Sequence, residues 1–174
     1  MKHSPNSTSD HANGAVPIYA QLWAKLGITP TATAFEMQDV ALCDPSDLGE
    51  LSAGARALFT YGAYEESARV YMALTALEPQ NPEVWFGLAE AFLAANVVDA
   101  AGLAADVALA LDPKNPAKLV LRGQIAIEAG ELDLIKPLVQ TFANLPISEC
   151  PPPVVVQMAG VILRAEMQTG RSIL

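Results

Sequence analysis

The side chains that could carry chemistry are few, and their settings argue against it. Both histidines, His3 and His11, lie in the polar opening stretch MKHSPNSTSDHANG. General acid–base work needs a histidine held within reach of a partner, and neither has one in view. Cys43 has no basic neighbour to lower its thiol pKa, so no nucleophile is expected there. Cys43 and Cys150 are far apart and outside any CxxC spacing, which predicts neither a zinc site nor a disulfide framework and suits a reduced, cytoplasmic protein. Glu65 and Glu66 read as a solvated helix face and not as an acid pair. The glycines fall at helix ends and packing positions, with no phosphate-binding loop among them. The Asn6-Ser7-Thr8 sequon has no meaning in a chain that is not secreted. No catalytic residue, cofactor site or metal site is therefore expected, no cofactor is called for, and function is sought in a binding surface, not in an enzyme.

Composition narrows that surface. The formal net charge is −9, the wrong sign for nucleic acid or an anionic membrane face, both of which select lysine and arginine clusters. The apolar fraction of 52% is enough to bury a core, and alanine and leucine dominate it, which favours closely packed helices. The first residues carry no apolar stretch of the signal-peptide kind, and no run of about 18 apolar residues is present.

The elements that position any binding surface are set by an internal repeat. ALEPQNPEVW and ALDPKNPAKL are near copies whose Pro79 and Pro113 stand one period of 34 residues apart. The same step relates Leu51, Trp85 and Leu119; Ala55, Ala89 and Gly123; Leu58, Phe92 and Ala126; Gly62, Asn96 and Gly130; and Leu77, Leu111 and Leu145. Ser67, Ala101 and Ile135, then Leu74, Ala108 and Phe142, form columns on a second helix. Asn81-Pro82 and Asn115-Pro116 are helix-start pairs, as is Asp44-Pro45, with Asp47 in that first turn. The spacing predicts helix pairs over 46–78, 82–112 and 116–145. Arg122 takes a usually apolar position, and Pro137 should bend the last pair's second helix or restart it at about Lys136. A final helix over 154–169 would cap the array, with Val155, Met158, Ile162 and Met167 available for packing.

Three divisions follow: a disordered tail over 1–15, a helix and linker over 16–45, and a repeat domain over 46–174. In the second, Ile18, Tyr19, Leu22, Trp23 and Leu26 recur at helical spacing before Gly27. So short a helix is unstable alone and must dock, on its own solenoid or on a second copy as a dimerisation element.

The 34-residue period and its columns resemble the tetratricopeptide repeat, which implies an all-α solenoid of three helix pairs with an N-terminal helix and a C-terminal capping helix. In that architecture the first helix of each pair lines a concave groove. Here its inward residues are Ser52, Arg56 and Phe59, then Glu83, Phe86, Glu90 and Leu93, then Val120, Gln124 and Ile127. Apolar groups among charges suit the grip of a peptide segment; the competing reading of Phe59, Phe86 and Ile127 is ordinary core packing.

Within the repeat proteins, the stretch from Leu42 to Ala94 resembles the class II chaperones of type III secretion systems. The likeness lies in Gly62, Tyr64, Glu65 and Glu66, Val70-Tyr71 and Ala73-Leu74, then in Gly87-Leu88 and Ala91. Ser52 and Arg56 depart from it, standing where that family tends to carry aromatic residues. The resemblance implies a protein client, a hydrophobic translocator segment held in the groove and kept soluble and export-competent, and a homodimer through the N-terminal helix. The alternative is a repeat adaptor or structural subunit of a secretion or pilus assembly machine. Neither nucleic acid nor membrane is an expected partner.

Overall fold

The computed structural model describes residues 45–173, so the tail and residues 16–26 lie outside the described residues. Seven α-helices are found among the described residues: α1 (Pro45–Thr60), α2 (Tyr64–Leu77), α3 (Pro82–Ala94), α4 (Val98–Leu111), α5 (Pro116–Ala129), α6 (Ile135–Ala143) and α7 (Pro152–Thr169). Each helix from α1 to α6 packs on the next, and α7 turns back onto α5 and α6. The three predicted pairs are thus α1–α2, α3–α4 and α5–α6.

Local physics sets the boundaries. Asn81 Oδ1 accepts from the Glu83 backbone N–H at 3.0 Å, and Asn115 Oδ1 accepts from that of Ala117 at 3.1 Å, each cap followed by proline at the first helical position. Each asparagine also turns its amide back to the preceding acid, Nδ2 donating to Glu78 Oε2 and to Asp112 Oδ2, both at 3.0 Å. The same phrase in the sequence folds into the same knot twice. Between the helices of each pair the chain must enter the left-handed region, and it does so at Gly62 (φ 83°), Asn96 (φ 61°) and Gly130 (φ 73°). Pro137 breaks nothing. Leu132–Leu134 form a 3-10 turn and α6 begins at Ile135, so the proline falls in a first turn, where its missing N–H has no helical partner to lose.

The core divides at α5. One cluster, built around Trp85, Leu74, Leu88 and Phe92, runs from α1 to α4 and takes Leu121 and Ile125 from α5. The other joins the opposite side of α5 to α6 and α7 through Ile135, Val139, Met158, Val161 and Ala165. In the first, Ala100, Ala101, Ala104, Ala105 and Ala108 give α4 a buried face of methyl groups, which leaves space for the bulk of α3. The buried hydroxyls are paired: Ser67 Oγ donates to the Ala55 carbonyl at 2.8 Å and Thr75 Oγ1 to that of Met72 at 2.7 Å.

Trp85 is fully buried, and its indole Nε1 donates to the Pro79 carbonyl at 2.9 Å, tying α3 to the loop before it. Trp85→Ala should cost about 3–5 kcal/mol in urea unfolding, the range for emptying an aromatic site in a packed core. A loss below about 1 kcal/mol would show that this core repacks around the gap.

Candidate peptide-binding groove

The first helices of the three pairs, α1, α3 and α5, are laced together by ion pairs, which places the expected groove residues side by side. Arg56 Nη1 on α1 donates to Glu90 Oε2 on α3 at 2.6 Å. The two residues occupy the same repeat position, one period apart, so neighbouring helices present them to each other. Burial works against the Arg56 charge, but the hydrogen bond and charge of Glu90 outweigh it and hold its pKa above the ordinary value. The guanidinium also lies 5.8 Å from the centre of the Phe59 ring, which meets an edge-on Tyr64 at 5.3 Å.

Between α3 and α5 the arrangement is more enclosed. Lys118, 2% exposed, donates from Nζ to Glu83 Oε1 at 2.6 Å and to Asp112 Oδ2 at 3.0 Å. The same ammonium stands 5.7 Å from the Phe86 ring centre. Phe86 is half-buried, its ring backed by a fixed charge, while the Glu83 carboxylate stays largely in solvent. Lys118 was not among the expected site residues. The signal available was a lysine one position after the repeat equivalent of Glu83, and only the packing of α5 on α4 converts that into a buried cation.

Tyr71 was also missed as a groove residue. It comes from α2, and its ring lies against Gly87: a Cβ there would fall 2.6 Å from Tyr71 Cε1 and 2.8 Å from its hydroxyl oxygen. Burial raises the Tyr71 phenol above its ordinary pKa, with the charge of Arg56 opposing that and the charge of Glu90 adding to it. Glycine at 87 therefore lets a tyrosine from the second helix of one pair reach the ion pair between the first helices.

Of the expected residues, Ser52, Phe59, Phe86, Glu90 and Leu93 are half-buried, and Arg56 and Glu83 are exposed. Phe59, Phe86 and Leu93 also pack on the first core, so their inner edges are core and their outer edges are surface. Gln124 lines a cleft of about 310 Å³ with Leu93, Asn96, Val98, Glu128 and Arg164. Val120 and Ile127 require a correction. They are 3% and 4% exposed and belong to the second core with Met158, Val161 and Ala165. The cause is α7, which lies directly on α5 because Gly123 admits it: a Cβ there would come within 2.9 Å of Val161 Cγ1. Ile18, Tyr19, Leu22, Trp23 and Leu26 lie outside the described residues. Among the described residues no group of three or more His, Cys, Asp or Glu is placed to hold a metal ion. No helix of the described residues is long and apolar enough to cross a membrane.

Capped helix pairs on a 34-residue period, stacked in one direction with their first helices side by side, define a tetratricopeptide-repeat solenoid. Solved structures of the same fold make this concrete. The Yersinia enterocolitica type III secretion chaperone SycD, in complex with a peptide of the translocator YopD, matches with a TM-score of 0.58 and 21% identity over 70% of this chain and 96% of that one. A type III secretion system complex from Aeromonas hydrophila matches with a TM-score of 0.63 and 16% identity over 86% and 94%. The Sgt2 TPR domain from Aspergillus fumigatus matches with a TM-score of 0.59 and 15% identity over 74% and 84%. No protein-family model matches the chain, and no curated protein matches it in sequence.

Asp112 gives the Lys118 site a measurable signature. Burial disfavours its charge, but hydrogen bonds from Lys118 and Asn115 outweigh that and hold its carboxyl below the usual value. A depressed folded pKa adds stability above the unfolded carboxylate value of about 3.9, and that stability is lost as the pH falls through the lower folded value. Wild type should therefore exceed Asp112→Asn in urea midpoint at pH 7, and the gap should close in acid below about pH 4. A gap that persists unchanged in acid would mean that Asp112 acts through shape and not through charge.

Proposed function

We propose that this protein is a secretion chaperone that holds a segment of an exported hydrophobic, translocator-type protein along the inner faces of α1 and α3. The observation that carries the reading is the line of half-buried Phe59, Phe86 and Leu93 set between Arg56, Glu83 and Glu90. A core would have covered these rings, and a plain solvated face would have no rings to offer. Their exposed edges suit apolar anchors of an extended segment, and the flanking charges suit its polar backbone. The fold shared with a chaperone solved around a translocator peptide supports the same reading.

On this reading the protein acts in the cytoplasm before export, and no chemical step is asked of it. Binding hides the client's apolar segment, keeping it soluble and unassembled, and the acidic surface keeps the complex dispersed. Val120 and Ile127 are left out of the contact set, because α7 already covers them. The groove proposed here is therefore built on α1 and α3, with Gln124 at its edge.

The test is capture of the tagged protein from its native lysate, with mass spectrometry of what it holds, for wild type and for Phe86→Glu. The chaperone reading expects a membrane-active secreted protein with wild type and its loss with Phe86→Glu, read on a variant that circular dichroism shows still folded, since Phe86 also packs on the first core. Recovery of secretion- or pilus-apparatus subunits instead, indifferent to Phe86, would replace the chaperone with an adaptor or structural subunit.

A further inference from the structure

The ion pairs along the groove are not all balanced. Arg56 and Glu90 are matched one to one. Lys118 is held by two carboxylates, Glu83 at 2.6 Å and Asp112 at 3.0 Å, so one ammonium faces two negative charges at the Phe86 end. The ammonium is enclosed, whereas the Glu83 side chain is 68% exposed. The surplus charge therefore reaches solvent through Glu83, of which Lys118 engages only Oε1.

Phe86 narrows what can sit beside that carboxylate. Its ring is half-buried, with the Lys118 ammonium 5.7 Å from its centre. A cation is drawn to the negative face of an aromatic ring, and a ring already serving one cation attracts a second less strongly. Phe86 is thus a seat for an uncharged apolar group. Glu83 lies one turn before it on the same face of α3. Side chains at that spacing are about 5–6 Å apart, close to the roughly 7 Å covered by two residues of an extended chain. In such a chain, positions two apart also point the same way. A segment laid along α3 with an apolar residue on Phe86 therefore brings a side chain two positions away over Glu83.

We propose, on the client-binding reading of α1 and α3 given above, that Glu83 is a specificity-determining residue: the groove prefers segments with lysine or arginine two positions from the apolar residue seated on Phe86. The incoming cation meets the outer side of the Glu83 carboxylate while Lys118 keeps the inner side. Two positive charges then face two carboxylates, and no buried pair is parted. Such a pair stays partly in water, so the preference over glutamine at that position is about three- to fivefold in affinity. It weakens as salt rises, and a glutamate there is disfavoured by repulsion.

The probe is a phage-displayed library of random peptides of about seven residues, which when extended span about 23 Å, enough to cover α3. It is selected on the full-length protein and counter-selected on Phe86→Ala and Leu93→Ala, using whichever of the two circular dichroism shows folded. The groove-dependent binders that survive should carry lysine or arginine two positions from an apolar residue, enriched over the starting library. A synthetic peptide of that consensus is then measured by fluorescence anisotropy on wild type and on Glu83→Gln, whose amide oxygen can still accept from Lys118. Changing the peptide's cation to glutamine should weaken binding to wild type about three- to fivefold and leave binding to Glu83→Gln unchanged. Glu149→Gln removes the same charge from the exposed turn before α7 and should keep the wild-type preference. Groove-dependent binders without the cation, an undiminished preference on Glu83→Gln, or a preference lost equally on Glu149→Gln would overturn the role of Glu83 and leave the groove standing. Selection of no groove-dependent peptide at all would overturn the client-binding reading, and this preference with it.

Discussion

Two helices can lie against each other only as closely as their largest facing side chains allow, and in this chain that distance is set by methyl groups. Ala55, Ala89 and Gly123 recur on the first helix of each pair, and α4 contributes a buried run of alanines. Because these positions are small, Trp85 and Leu88 can sit between neighbouring helices without forcing them apart. Everything on the inner face inherits its spacing from that packing. The Arg56–Glu90 pair closes at 2.6 Å because α1 and α3 are held at one repeat's separation. A larger side chain in either alanine column would move the helices and the ion pair together.

The second half of the array is organised differently, and α5 shows why. It carries two buried cations, Lys118 and Arg122, each held between acids from neighbouring segments. Lys118 bridges α3 and the turn after α4, and Arg122 reaches Asp106 on α4 at 2.6 Å and Glu131 beyond α5 at 2.9 Å. At the Arg122 position α3 has Leu88, fully buried. Burying a charge is costly unless it is fully paired, and Arg122 Nη1 has no partner among the described residues. The pairs are therefore better understood as fixing the register of α5 on its neighbours than as a source of net stability. Removing one partner would leave the other charge stranded in a site built for two.

How far the sequence could be read depended on the range of the physics involved. The helix boundaries were legible because caps, prolines and left-handed turns act over a few residues: Asn81, Asn115, Gly62, Asn96 and Gly130 each do in the structure what their type and position imply. The restart of α6 around Pro137 was legible for the same reason. Val120 and Ile127 were not, because their burial depends on where α7 docks, and that is decided by Gly123 and Val161 from different parts of the chain. Lys118 escaped because nothing in its own neighbourhood marks it as buried; its partners come from another helix and a turn. Tyr71 escaped because a glycine sixteen residues away on the next helix makes room for it.

The ion pairs of Arg56 and of Lys118 also divide the inner face into parts with different duties. Arg56 and Glu90 are partly open to solvent, and an exposed pair of this kind is worth only about 0–1 kcal/mol. An incoming segment can therefore part them at little cost and pair with either one. Lys118 is enclosed, and parting it from Glu83 and Asp112 would strand a buried charge, so Phe86 keeps its backing whatever lies on it. One end of the groove adapts and the other holds still. On the chaperone reading proposed above, the fixed ring would supply the anchor for a bound segment and the opening pair its exit.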